Sequence, residues 1–365
     1  MMSFSWLPPD IARLKPYEPG KPIEEVQREL GLKRVIKLAS NENAFGPAPS
    51  VLEAIQKAAD RAPWYPDGGA YYLRHELSRF LNVPPEHLAF GGGSTELVQL
   101  LVLACLTPDD HAILADATFL MYRLALQTNR IPFTAVPLQD GTYDLQRFLD
   151  AVQPNTRIIF IANPNNPTGD LIPDSTFREF LAALPDHVLV VYDAAYYHFV
   201  TQADYSDGIP YYRDDPRVIV LHTFSKAYAL ANLRIGYAVA HPEIIRGLNI
   251  VRSPFNTSDI AQIAARAALA DQSYMQATVQ RIIQERQRVY RILKEQGWHV
   301  YPSETNFLCV RVKQDPYELF RTLLSKGIIV RPLPPFGVPD GIRITIGTPE
   351  DNDYLLETLE DLSPS

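Results

Sequence analysis

The most chemically loaded stretch of this chain is Thr223-Phe224-Ser225-Lys226, with Arg234 eight residues after the lysine in Leu233-Arg234-Ile235-Gly236-Tyr237. The apolar run Val218-Ile219-Val220-Leu221 lies directly before it, so the cluster stands where a buried strand is expected to end. A lysine amine can form a Schiff base with an aldehyde, while an arginine and hydroxyls can hold a phosphate. A solvated loop with a stray lysine explains this stretch equally well. The decision rests on the other segments.

Three of them matter. Gly91-Gly92-Gly93-Ser94-Thr95-Glu96 separates a short strand-like run from a helix-like one. Glycines let a backbone approach an anion, and a helix N-terminus offers free N–H groups. The run lacks the final glycine of a dinucleotide fingerprint and the lysine of a P-loop. A tight turn with Ser94 as helix cap accounts for it slightly better. Asn163-Pro164-Asn165-Asn166-Pro167-Thr168-Gly169 is a turn with three asparagines, more than a turn requires. Their side chains can donate to a ligand oxygen. Asp193 ends Val188-Leu189-Val190-Val191-Tyr192, with Tyr196 three residues on. A carboxylate there is costly to bury unless partnered, and a cationic ring nitrogen is a suitable partner. A helix-capping aspartate is the plain alternative.

Other chemistries fail on spacing. His75-Glu76 has no second histidine at position 79, and the eight histidines are dispersed, so no metal set is expected. Gly92-Gly93-Ser94-Thr95 lacks the closing glycine of a nucleophile elbow.

These groups need a frame that ends several buried strands at one edge. Seven short runs, 88–91, 111–115, 132–136, 158–162, 188–193, 218–222 and 236–240, are mostly near-continuously apolar. Strands covered on both faces of a mainly parallel sheet read this way. Helix-like stretches at 96–106, 120–128, 145–151 and 175–184 alternate with several of them, which predicts an open α/β sheet between helices. Ligands in such sheets bind beyond the carboxyl ends of the strands, where all four segments fall. Residues 259–295 turn mostly helical. Then β-rich runs at 306–312, 328–331 and 342–346, with a helical stretch near 317–326, predict a smaller α+β part. The expected division is a large domain over 44–252 and a small domain built from 1–43 and 253–365.

With 365 residues, 46% of them hydrophobic, the chain can bury a core large enough for both. A net charge of -8 without a basic block argues against nucleic acid or an anionic membrane as partner. The longest apolar run, 97–106, is too short to cross a bilayer. Residues 1–10 show no basic region followed by an apolar core, so no secretory signal is expected, and Cys105 and Cys309 sit in apolar runs as thiols of a reducing compartment do. A cytoplasmic protein is expected.

Together these residues resemble the fold-type I pyridoxal-phosphate aminotransferases, and within them most closely the histidinol-phosphate aminotransferase family. The resemblance runs nearly end to end. Asn41-Glu42-Asn43 with Gly46-Pro47, Tyr65-Pro66-Asp67, and Leu73-Arg74 are similar to that family's early motifs. Residues 163–169, 224–226 and Arg343-Ile344-Thr345-Ile346-Gly347-Thr348 are similar to three later ones.

The resemblance implies roles. Lys226 would carry the Schiff base to pyridoxal 5'-phosphate and shuttle protons. Asp193 would keep the pyridine nitrogen protonated, Asn166 and Tyr196 would bond the ring oxygen, and Phe119 would stack on the ring. Gly93, Ser94, Thr95, Thr223, Ser225 and Arg234 would hold the phosphate. Tyr65 would reach that phosphate from the neighbouring copy, which implies a homodimer with shared active sites. Arg343 with Arg331 would bind the substrate's anionic group, and Tyr17 and Asn43 would lie near the substrate. The implied reaction passes an amine from a small-molecule donor to a 2-oxo acid, most closely from L-histidinol phosphate to 2-oxoglutarate. An aromatic or other amino-acid donor, or an amino-acid phosphate decarboxylase on the same scaffold, are the alternatives. The chain departs from the family at Phe119, commonly tyrosine, at Ala194, often glutamate, and at Ala44, commonly proline.

Overall fold

The computed structural model describes residues 6–16 and 20–362, so Tyr17, expected near the substrate, lies outside the described residues. In chain order the strands are β1 (Ile36–Lys37), β2 (Leu88–Gly91), β3 (His111–Ala115), β4 (Phe133–Val136), β5 (Thr156–Ala162), β6 (Leu189–Asp193) and β7 (Val218–Thr223). There follow β8 (Gly236–Val239), β9 (His299–Val300), β10 (Phe307–Arg311), β11 (Ile328–Ile329), β12 (Arg331–Pro332) and β13 (Gly341–Thr345).

β2 to β8 form one sheet in the order β2-β8-β7-β6-β5-β3-β4. β8 runs antiparallel to both neighbours, and the other pairs are parallel. The seven apolar runs of the sequence are these seven strands, with ends displaced by at most two residues. Their continuous apolarity has a direct cause. Successive side chains of a strand point to opposite faces. Val218 and Val220 enter one core with Phe177 and Phe180 of the Asp174–Ala183 helix. Ile219 and Leu221 enter the other, with Leu97 and Leu101 of the Ser94–Cys105 helix and Leu248 of the Pro242–Val251 helix. Each fully buried side chain of this kind contributes roughly 1.5–3 kcal/mol.

The register sets the functional edge. Ala162 pairs with Asp193, Asp193 with Leu221, Thr223 with Gly236, and Gly236 with Gly91. The segments that begin at Asn163, Asp193, Ser225 and Gly92 therefore leave the sheet in one row.

A second sheet, β12-β13-β10-β9, is antiparallel, and β1 pairs in parallel with β11. The pairing of β1 with β11 continues with Leu38 N–H donating to Ile329 O at 2.8 Å, and Leu38 O accepts the Thr345 N–H of β13 at 2.8 Å. It fastens the chain just before Asn41 to the C-terminal strands. The helical stretch expected at 259–295 is two helices, Asp259–Ala270 and Gln272–Glu295. They part at Asp271, whose carboxylate accepts the Tyr274 N–H and starts the second helix. Among the described residues no helix is long and apolar enough to cross a membrane.

Candidate active site

A cavity of about 240 Å³ opens at the carboxyl edge of the large sheet. Ser94, Thr95, Thr223, Ser225 and Arg234 line one end, and Phe119, Asn166, Asp193, Tyr196, Lys226 and Arg343 line the rest.

The first end is built for an anion. Gly93 turns the chain from β2 into the Ser94–Cys105 helix with φ +83°, a left-handed conformation. A Cβ on Gly93 would lie 2.3 Å from Arg234 Nη2, so a side chain there would displace the guanidinium, at a φ that already favours glycine. Arg234 is fixed by donating to Gly92 O at 3.1 Å and to Ala231 O at 2.9 Å, and its Nη1 stands 3.5 Å from Ser225 Oγ. Thr223 Oγ1 accepts the Ser225 N–H at 3.1 Å and donates to Ser225 Oγ at 3.0 Å, which folds the loop around both hydroxyls. Four hydroxyls, a guanidinium and the first N–H groups of a twelve-residue helix thus converge. This donor set fits a phosphate.

Asp193 stands at the middle of the cavity and is buried. Its Oδ1 accepts the Ala195 N–H at 3.1 Å and its Oδ2 accepts the Tyr122 hydroxyl at 2.9 Å. Burial pushes the carboxyl up to about 6, against those two donors and the Lys226 charge. A carboxylate so placed would gain from a cation beside it. Tyr122 is a functional residue that the sequence reading left without a role. It stacks on Phe160 at 5.0 Å and meets Phe119 edge-on at 5.5 Å. Phe119 is the extended residue before the Leu120–Thr128 helix, and Tyr122 lies in the first turn of that helix, its N–H donating to Phe119 O at 3.1 Å.

Lys226 Nζ donates to Ser40 O at 3.3 Å and Asn41 O at 3.1 Å, and lies 5.7 Å from the centre of the Tyr196 ring. Burial lowers its ammonium to about 7, helped by the Arg343 and Arg234 charges and opposed by Glu42 and Asp193. The amine can therefore change protonation state near neutrality.

Of the three asparagines in the turn, only Asn166 lines the cavity. Asn163 donates to Tyr192 OH at 2.8 Å and Ile172 O at 2.9 Å, and Asn165 to Ala117 O at 2.9 Å, so both hold the turn itself. Asn166 Oδ1 accepts Arg343 Nη1 at 2.5 Å, and Arg343 Nη2 donates to Ala39 O at 2.8 Å.

Four expected residues stand elsewhere or beside it. Gly93 contributes backbone at the rim, as above. Asn43 does not line the cavity: its amide donates to Ala227 O at 3.0 Å and its Oδ1 accepts the Phe45 N–H at 3.0 Å, which shapes the local turn. Asn41 takes the inner position instead. It adopts φ +54°, and its Nδ2 donates to Tyr196 OH at 2.9 Å. Nothing in the Asn-Glu-Asn sequence separates the two asparagines, because the left-handed turn at Asn41 decides which one faces inward. Arg331 lines a neighbouring chamber of about 780 Å³ that also bears Arg13, Lys15 and Lys21 and shares Phe336 with the first cavity. Tyr65 is 83% exposed and stacks on Phe255 at 4.8 Å, outside the cavity of its own chain.

Residues 33–359 match the family described as aminotransferase class I and II. The chain is similar to a histidinol-phosphate aminotransferase of Geobacillus thermodenitrificans, 46% identical over 346 residues and 95% of each chain. It is similar to one of Halalkalibacterium halodurans at 44% identity, covering 97% of this chain and 96% of the other. Its fold is similar to the crystal structure of histidinol-phosphate aminotransferase from Sinorhizobium meliloti in complex with pyridoxal-5'-phosphate. That match has a TM-score of 0.89 and 32% identity, over 99% of this chain and 98% of the other.

Proposed function

This chain belongs to the class I and II aminotransferase family, and on that footing we propose that it transfers the amino group of L-histidinol phosphate to 2-oxoglutarate, using pyridoxal 5'-phosphate. The products are imidazole acetol phosphate and L-glutamate. One observation carries the reading: a single cavity holds a lysine amine that titrates near neutrality, a buried carboxylate and an anion cradle.

When bound, the cofactor supplies a protonated pyridine ring that draws electrons from the donor's α-carbon. The cradle of Arg234, Ser94, Thr95, Thr223 and Ser225 would hold its phosphate. Asp193, ionised above about pH 6, would stand as counter-charge to the ring nitrogen. Asn166, whose oxygen is already taken by Arg343, would donate through its amide nitrogen to the ring oxygen, beside Tyr196. Phe119 would cover the ring face with an apolar π surface. Lys226 Nζ, with its ammonium near 7, would accept the proton from the donor's α-carbon and later return it.

The basic chamber favours a phosphate ester as donor. Arg343 lines the cavity, and Arg331, Arg13, Lys15 and Lys21 line its neighbour, which suits a dianion on a side chain longer than a carboxylate. We read 44–252 as the cofactor-binding domain, with the small domain supplying both arginines. Trp64, Tyr65, Tyr71 and Tyr72 are exposed large rings suited to burial against a second copy, from which Tyr65 would reach the phosphate. The two cysteines are free thiols, in keeping with the reducing cytoplasm. Both half-reactions share one cavity, so initial rates with L-histidinol phosphate and 2-oxoglutarate should give parallel double-reciprocal lines. Intersecting lines would contradict a shared site.

A further inference from the structure

Thr345 lies on β13, is buried, and has no atom among the cavity lining. Its hydroxyl nevertheless decides how the cavity's hydrogen bonds run. Thr345 Oγ1 accepts the Asn41 backbone N–H at 2.9 Å. The hydroxyl hydrogen is then directed to Asn41 Oδ1, 3.2 Å away. That oxygen is the one acceptor the described contacts give this buried hydrogen, so a reversed amide would leave the hydroxyl hydrogen unpaired. The nitrogen end is therefore the one that meets Tyr196 Oη at 2.9 Å, and it can only donate. Tyr196, having accepted there, directs its own hydrogen away from Asn41.

The backbone reinforces this order. Asn41 adopts φ +54°, a conformation asparagine tolerates better than most side chains. Its carbonyl accepts Lys226 Nζ at 3.1 Å and Asn306 Nδ2 at 3.1 Å. The amide thus sits on a peptide that is held from three sides, and its two ends are occupied by different partners.

We propose that Thr345 and Asn41 are a positioning pair that fixes Tyr196 as a hydrogen-bond donor toward the cofactor's ring oxygen. The inference rests on the cofactor reading given above. An anionic ring oxygen is stabilised by a hydroxyl that donates and gains nothing from one turned to accept. Without the Thr345 hydroxyl, the Asn41 amide can reverse. Its oxygen then takes the Tyr196 hydrogen and withdraws it from the cavity.

The test is a double-mutant cycle read by the dissociation constant of pyridoxal phosphate, with Thr345→Val and Tyr196→Phe alone and combined. Tyr196→Phe should weaken cofactor binding about tenfold. Thr345→Val should weaken it by a similar factor when Tyr196 is present and less than about twofold when position 196 is phenylalanine. Asn41→Asp, which keeps the shape and the left-handed backbone but replaces the donor by an acceptor, is read in the same cycle. It covers the case in which the valine variant does not fold. Full loss from Thr345→Val, or from Asn41→Asp, in the phenylalanine background would mean a merely structural role and overturn the pair. Unchanged affinity in either variant with Tyr196 present would do the same. Unchanged affinity in Tyr196→Phe alone would overturn the cofactor role of Tyr196 itself, and the pair with it.

Discussion

Replacing Asp193 by asparagine should stabilise the cofactor-free protein while abolishing turnover. The carboxyl of Asp193 is buried and pushed from 3.8 to about 6, with burial as the largest cause. A folded-state value above the unfolded one means that the fold disfavours the charged form. The penalty is absent below the unfolded value, grows across the window between the two, and is complete above about pH 6. A shift of about two units corresponds to about 3 kcal/mol at pH 8 and roughly half of that at pH 5. Asparagine has the same shape and no charge. Its oxygen can accept the Ala195 N–H, and its amide can donate to the Tyr122 oxygen. With an unfolding entropy of about 2.1 cal/mol/K per residue, a gain of about 3 kcal/mol raises Tm by about 4 °C. Differential scanning calorimetry of cofactor-free wild type and Asp193→Asn at both pH values reads this directly. A variant no more stable than wild type at pH 8, or a difference that does not shrink at pH 5, would refute the assigned burial penalty. The counterpart is that the ring nitrogen loses its counter-charge, so kcat should fall by orders of magnitude.

Gly93→Ala places a methyl group 2.3 Å from the Arg234 guanidinium at φ +83°, so pyridoxal-phosphate affinity should drop at least about tenfold in an equilibrium titration. Retained affinity would show that the cradle tolerates displacement of Arg234. Tyr122→Phe removes the 2.9 Å donor from Asp193, which moves that carboxyl further up. Hydrogen bonds to charged groups contribute about 1.5–3 kcal/mol, so the acid limb of kcat/KM should move up by about one pH unit or more. An unmoved limb would separate Asp193 from that limb. Tyr65→Phe, distant from the cavity of its own chain, should weaken cofactor binding in the assembled protein. Equal affinity would remove it from the shared site.

The strands and the reaction were legible in the sequence because both leave local marks. A strand buried on both faces must be apolar throughout, which is why runs such as 218–222 fell within a residue of their strands. Lys226 and Asp193 were legible because each ends or follows such a run, and Arg234 because it stands just before another, 236–239, and register then places the three together. Asn41, Tyr122 and Thr345 were not. Their roles come from contacts between segments 71 to 304 residues apart, and no local spacing encodes those. The two-residue strands β1 and β9 are equally silent, since a two-residue run has no measurable period, whereas the β-rich run at 328–331 covers β11 and the first residue of β12. The asparagine turn shows the opposite error. Three amides suggested ligand contacts, but Asn163 and Asn165 are consumed in bonding the turn.

The central claim is tested most directly by a single turnover of the holoenzyme without an oxo acid, offered separately L-histidinol phosphate, phenylalanine, tyrosine and O-phosphothreonine. Prompt, stoichiometric formation of imidazole acetol phosphate and pyridoxamine phosphate from L-histidinol phosphate, with slower conversion of the others, is the expected result. Faster conversion of an aromatic amino acid, or release of CO2 without pyridoxamine phosphate, would contradict it.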